Sequence, residues 1–188
     1  DAVCAAEGIR NAHVVGYGLG GTVALTAALT SSRPASLALV GTPPAGDAYN
    51  PDGVWADPAD PAAVEGSLNG LLSTDFREAH PDALSRIAEW RLAEDAGREA
   101  FEAHRAAVEG FDLSDRLYEL TTPTLVVHGT DDAVCPASAA ETLAEGLPRG
   151  ELRAIEGARH LVGVEASAAV NDALVWWLAE HGADPRSG

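Results

Sequence analysis

The sequence predicts an α/β fold: a mainly parallel sheet with flanking helices and a helical insertion. Three observations point to it. A β-branched run, His13-Val14-Val15, passes through a glycine-dense turn, Gly16-Tyr17-Gly18-Leu19-Gly20-Gly21, into small and apolar residues at helical spacing. Further short apolar runs, Ser36 to Val40 and Thr124 to Val127, are bounded by Pro and Gly. Helical patterns separate these runs, the alternation that builds parallel sheets through right-handed crossovers.

In chain order, residues from Asp1 to Gly8 read as the last turns of a helix, with Gly8 as its stop. The first strand is Ala12 to Gly16, and the helix Thr22 to Leu29 follows, ended by Ser31-Ser32-Arg33-Pro34. Ser36 to Val40 is the second strand, closed by Gly41-Thr42-Pro43-Pro44. From Ala45 to about Leu117 the pattern is helical, with amphipathic helices at Ala83 to Leu92 and Ala96 to Val108. Within this insertion Trp55, Phe76, Trp90 and Phe101 can line a pocket, though aromatics at helical spacing are more often ordinary core, and Trp55 and Trp90 are the candidate substrate-binding residues. The sheet pattern resumes at Thr122 to Gly129, followed by the loop Thr130 to Pro136 and a helix from Ala137 to Leu147. Glu151 to Ile155 is a last short strand, after which come the turn Gly157-Ala158-Arg159-His160, a helix around Ala168 to Leu178 and a polar tail. With no internal repeat or linker, residues 1–188 read as one domain carrying an insertion at about 45–117.

Composition narrows the function. A formal net charge of −17, from 29 acidic and 12 basic residues, argues against nucleic acid and anionic membrane surfaces as partners. No stretch approaches the roughly 20 apolar residues of a membrane span. Cys4 and Cys135 lack metal-ligand spacing and are too few for a disulfide framework, so they read as reduced thiols in a cytoplasmic protein. The chain begins at Asp1 and contains no Met, the look of a fragment.

The glycine turn presents backbone N–H groups at a helix N-terminus, a place for a phosphate or an oxyanion. Gly16-x-Gly18-x-x-Gly21 satisfies the dinucleotide fingerprint. That motif calls for an acidic residue at the end of the second strand, where this chain has Val40-Gly41-Thr42-Pro43, and Asp47 lies beyond two prolines. Three loops at the ends of successive strands carry Gly18, then Asp131 and Asp132, then His160, the order nucleophile, acid, histidine. In such a set the carboxylate fixes the histidine's tautomer and the histidine takes the nucleophile's proton.

These residues carry a resemblance. His13 to Gly21, Pro123 to Gly129 with Asp131, Asp132 and Pro136, and Gly157 to His160 resemble the C-terminal two-thirds of an α/β-hydrolase, of the lactonase, esterase and non-haem haloperoxidase group. Phe111 to Leu117 resembles the family's return from its helical cap. The resemblance implies cofactor-independent hydrolysis of an ester, lactone or similar small acyl compound. It assigns Asp132 as the acid, His160 as the base, Gly18 as the nucleophile position and the Leu19 backbone N–H as an oxyanion donor, with no metal. His13 and His128 are left as structural.

Gly18 has no side chain, so the usual acyl-enzyme cannot form there. The alternatives are a non-catalytic binding or regulatory protein on the same fold, and a dinucleotide-binding domain. The resembled fold has more strands upstream, so Ala12 to Gly16 is expected at an exposed edge or paired with another chain, with self-association through that edge as a possible consequence.

Overall fold

The computed structural model describes residues 2–182. The polar tail anticipated after the last helix lies outside the described residues, as does Asp1. The described residues form a four-stranded parallel sheet in the order β1-β2-β3-β4, with β1 Ala12–Tyr17, β2 Pro34–Val40, β3 Thr124–Gly129 and β4 Gly150–Ile155.

β2 and β3 are central, and both faces of each are covered. Successive side chains of a strand alternate between faces. Leu37, Leu39 and Val126 therefore pack with Ala24 and Leu25 of α2 (Leu19–Thr30) and with Ala140 and Leu143 of α7 (Ala137–Gly146). Ala38, Val40, Leu125 and Val127 turn to the other side, against Val170, Ala173 and Trp177 of α9 (Ser167–Glu180). Burial on both faces is why these runs are continuously apolar instead of alternating.

β1 is an edge strand, bonded only to β2 among the described residues. Its sequence is that of an interior strand, yet Val15 is 54% exposed and Tyr17 37%. β4, at the opposite edge, is mostly exposed and carries Glu151 and Arg153, the charged pattern that discourages edge pairing.

Element boundaries moved slightly from those the sequence indicates. β2 starts at Pro34, because a proline at the first position of a strand removes no interior ladder bond. α2 starts at Leu19 instead of Thr22, its first turn being made by the glycines themselves. Gly21 is required there: any Cβ would run into the side chain of Thr42.

Between β2 and β3 the chain forms α3 (Pro61–Leu71), α4 (Thr74–Ala79), α5 (Pro81–Glu94) and α6 (Arg98–Glu109). Prolines open α3 and α5, where the missing N–H costs nothing. Asp60 caps α3 by accepting from Ala62 N and Ala63 N, and Ser73 caps α4 by accepting from Phe76 N. The segment leaves and returns at one point, where Gly46 N donates to Phe111 O (2.8 Å) and Leu113 N to Pro44 O (3.0 Å). Its core of Val64, Leu68, Leu71, Leu72 and Ala88 also takes in Val134, which belongs to the loop after β3. Helices and loop are thereby packed as one unit, directly over the sheet's C-terminal ends. No helix among the described residues is long and apolar enough to cross a membrane.

Candidate active site

The acid lies at the end of β3. Gly129 closes the strand, and the loop then folds around Asp132, whose Oδ1 accepts from Val134 N (2.8 Å) and Cys135 N (2.9 Å). Its Oδ2 lies 2.8 Å from His160 Nδ1. Both side chains are almost wholly buried, and a buried carboxylate needs these partners, since an unpaired one is strongly unfavourable. The Asp132 carboxylate is an acceptor, so His160 donates from Nδ1 and presents Nε2 as its free base. Asp131, the other candidate at this loop, is exposed, and its side chain accepts from Thr130 Oγ1 at 3.4 Å.

His160 sits in the turn between β4 and α8 (Val162–Glu165). Tyr17 Oη donates to its backbone oxygen, and the rings of Tyr17 and Tyr49 stand edge-on to the imidazole at 5.8 and 5.9 Å. Glu165 ties the turn to the helices above, accepting from Arg159 N (2.7 Å) and Ser73 N (2.8 Å). Leu161 N donates to Leu71 O (3.0 Å). The imidazole is held from both sides of the loop cluster.

The third position is Gly18, between β1 and α2, with φ 49° and ψ −119°. This is backbone that side-chain-bearing residues adopt only under strain. A Cβ built there would point into the site, 3.8 Å from His160 Nε2 and 3.2 Å from Tyr49 Oη. Leu19 opens α2, so its N–H is among those left without a partner inside the helix and is available to an anion. Gly18, Asp132 and His160, read from three separate loops, meet at one place.

A cavity of about 500 Å³ adjoins them, its wall including Leu19, Tyr49 and Leu161. Trp55 and Trp90 both line it. Trp55 is fixed by stacking on Phe101 (4.8 Å), by donating from Nε1 to Ala96 O (3.1 Å) and by the Arg98 guanidinium 4.7 Å over its ring. Trp90 is 59% exposed. Phe76 takes the core alternative: it packs into the core of the insertion and against His80 instead of facing the cavity, because α4 turns that face toward α5. The cavity's two arginines are engaged. Arg91 binds Asp95 (2.7 Å), Ser67 Oγ (2.6 Å) and Val54 O (2.8 Å), and Arg105 binds Glu109 (2.9 Å) with Asp52 at 3.7 Å.

Sequence reasoning did not single out Tyr49. It lies in a Pro-, Asp- and Gly-rich stretch without periodicity, and only the third dimension brings it to His160. The role of His128 was likewise invisible in the sequence. Fully buried, it places Nε2 2.7 Å from Cys135 O, bracing the acid loop from below, and 3.5 Å from Asp132 Oδ2. Its Nδ1 is buried without a hydrogen-bond partner. His13 pairs with Ser36 Oγ (2.8 Å) at the far side of the sheet. Cys135 is buried, and burial beside Asp132 pushes its thiol well above the ordinary range, which removes it as a nucleophile.

Comparison with known proteins agrees with this architecture. Over 174 residues the chain is 33% identical to a protein of Variovorax paradoxus (strain S110) named "Putative carbamate hydrolase RutD", covering 89% of this chain and 65% of that one. A solved hydrolase from Pseudomonas aeruginosa PA01 superposes with a TM-score of 0.79 at 28% identity, over 97% of this chain and 69% of that one. Est816, described as an N-acyl homoserine lactone degrading enzyme, gives a TM-score of 0.75 at 25% identity, over 92% and 70% of the two chains. This chain thus spans about two thirds of the length of these relatives. The model of the "Alpha/beta hydrolase family" matches residues 1–173, and the chain belongs to that family.

Proposed function

We propose that this site binds a neutral ester or lactone with its acyl part in the apolar cavity, and hydrolyses it by direct attack of water, without an acyl-enzyme. The observation that carries the reading is the intact His160–Asp132 pair, whose free Nε2 faces a residue 18 that has no side chain. In this reaction His160 removes a proton from water while the water oxygen attacks the acyl carbon. The imidazolium, stabilised by Asp132, then gives that proton to the departing alkoxide as the acyl–oxygen bond breaks. The products are a carboxylic acid and an alcohol, or a hydroxy acid from a lactone. Leu19 N–H is the oxyanion donor this chain offers. Neutrality of the substrate follows from the cavity, where neither arginine is free to receive a carboxylate.

The test is a pre-steady-state assay on p-nitrophenyl butyrate. Burst-free turnover that His160→Ala abolishes is expected, and Gly18→Ser introduces a burst, because a serine there forms an acyl-enzyme. Absence of turnover by the unaltered chain would overturn hydrolysis. The second reading, a ligand-binding protein on a hydrolase fold, is favoured by the bare Gly18, and binding without turnover, followed through Trp55 and Trp90 fluorescence, would establish it.

A further inference from the structure

Tyr49 stands at the centre of the candidate site, yet its hydroxyl makes no hydrogen bond to the protein among the described residues. Its ring is fixed edge-on to His160, and its backbone is pinned on both sides: Tyr49 N donates to Gly46 O (3.1 Å) and Asn50 N to Val134 O (2.7 Å) of the acid loop. The hydroxyl lies 3.2 Å from the point where a Cβ on residue 18 would stand, and His160 Nε2 lies 3.8 Å from the same point. A half-buried phenol held this firmly beside a base, on the cavity wall and with its hydroxyl not bonded to the protein, is a donor and acceptor placed for a water or a ligand.

We propose that Tyr49 and His160 together hold the hydrolytic water in the space that glycine leaves at position 18, making Tyr49 a catalytic residue. The inference rests on the hydrolytic reading above and adds the group that orients its nucleophile. A water resting on Gly18 Cα at van der Waals distance, farther out than the Cβ point and on the side of these two groups, has His160 Nε2 and Tyr49 Oη as its hydrogen-bond partners. One water hydrogen is then given to Nε2 and the other to the Tyr49 oxygen, which turns a lone pair toward the cavity and the acyl carbon. Burial pushes the Tyr49 hydroxyl up to about 12, so it keeps its own proton at neutral pH and has it available for the acyl oxygen. A serine at position 18 would occupy the same space, which links the glycine and the tyrosine as one arrangement.

Tyr49→Phe removes the hydroxyl and retains the ring against His160, so folding is expected to be unaltered, as an unchanged melting temperature verifies. Its kcat on p-nitrophenyl butyrate is expected to fall about tenfold, the scale of one lost hydrogen bond, with KM unchanged. A second probe does not depend on turnover. Octylboronic acid is trigonal in solution and becomes a tetrahedral boronate when a water oxygen adds to boron and its proton passes to His160. The unaltered chain is expected to shift the bound ¹¹B resonance to the tetrahedral position, and Tyr49→Phe to leave it trigonal. Loss of turnover in the unaltered chain together with this ¹¹B difference would sink the hydrolytic reading and leave the Tyr49 water site standing. A boron signal that is the same in both proteins, or a kcat unchanged by Tyr49→Phe, would overturn the inference.

Discussion

The two sides of the candidate site are built to opposite standards. On the acid side, Asp132 has both oxygens engaged by two backbone amides and an imidazole, His128 braces the loop through Cys135 O, and all of it is buried. On the nucleophile side, residue 18 has no side chain, the Tyr49 hydroxyl has no hydrogen bond to the protein among the described residues and Leu19 N–H opens a helix. One half is closed and, His128 Nδ1 apart, satisfied from within, while the other offers a base, a hydroxyl and an amide to something from outside. The difference teaches where to look: the acid side sets orientation and stability, and chemistry must enter through the open side. Substitutions on the two sides should therefore fail in different ways.

The largest expected effect couples the sides. His160→Ala removes the base and should lower any ester turnover by about 10² to 10⁴, the usual contribution of general acid–base catalysis. Binding of an apolar ester, followed by tryptophan fluorescence, should be nearly unchanged, since the cavity wall is made by other residues. If binding collapsed together with turnover, the open side would not be separable from the closed one. Next comes Asp132→Ala. Its loss strands two buried amides and leaves His160 without its partner, so about 3 to 5 kcal/mol of stability should disappear in urea unfolding. A loss below 1 kcal/mol would mean that the acid side is less tightly built than its geometry indicates.

On the open side the corresponding probe is Gly18→Ala. The φ of 49° strains any residue with a Cβ, and the new methyl would crowd Tyr49 Oη, so a cost of about 1 to 3 kcal/mol is expected. Turnover should fall further than stability implies, because the methyl takes the place assigned to the water. Retained turnover at reduced stability would place the nucleophile elsewhere.

How much of this was legible in the sequence divides along the same line. The two central strands are stated in the sequence by short apolar runs between Gly and Pro, since strands buried on both faces have few other compositions open to them. Asp132 and His160 were legible because loops at the ends of successive parallel strands converge, so spacing along the chain becomes proximity in space. Tyr49 was not legible. Its stretch is short 3₁₀ turns and extended backbone, and what carries it to His160 is the contact of Asn50 with Val134, two residues far apart in sequence. Phe76 stood open between pocket and core for a related reason: helical spacing states that a residue is on an apolar face, without stating whether that face meets a cavity or another helix.

The smallest expected effect is set by pH, and it touches both sides at once. Burial raises Tyr49 from 10.0 to about 12 and raises Tyr17 and Cys135 above their ordinary values as well. All three bind their protons more tightly when folded than when unfolded. The stability they contribute is therefore fully present below the unfolded values, 9.0 for the thiol and 10.0 for the phenols, and is lost as pH rises toward the folded ones. Between about pH 6 and 8 urea midpoints should be flat with respect to these groups, and above about pH 9 they should fall. Tyr49→Phe should make the fall shallower between pH 10 and 12, because the open-side phenol no longer titrates, while Cys135→Ala should act earlier in the same titration by removing the closed-side thiol. If Tyr49→Phe left the alkaline limb unchanged, the hydroxyl would be titrating as it does in the unfolded chain, and Tyr49 would lie in a more hydrated place than its position between Gly18 and His160 indicates.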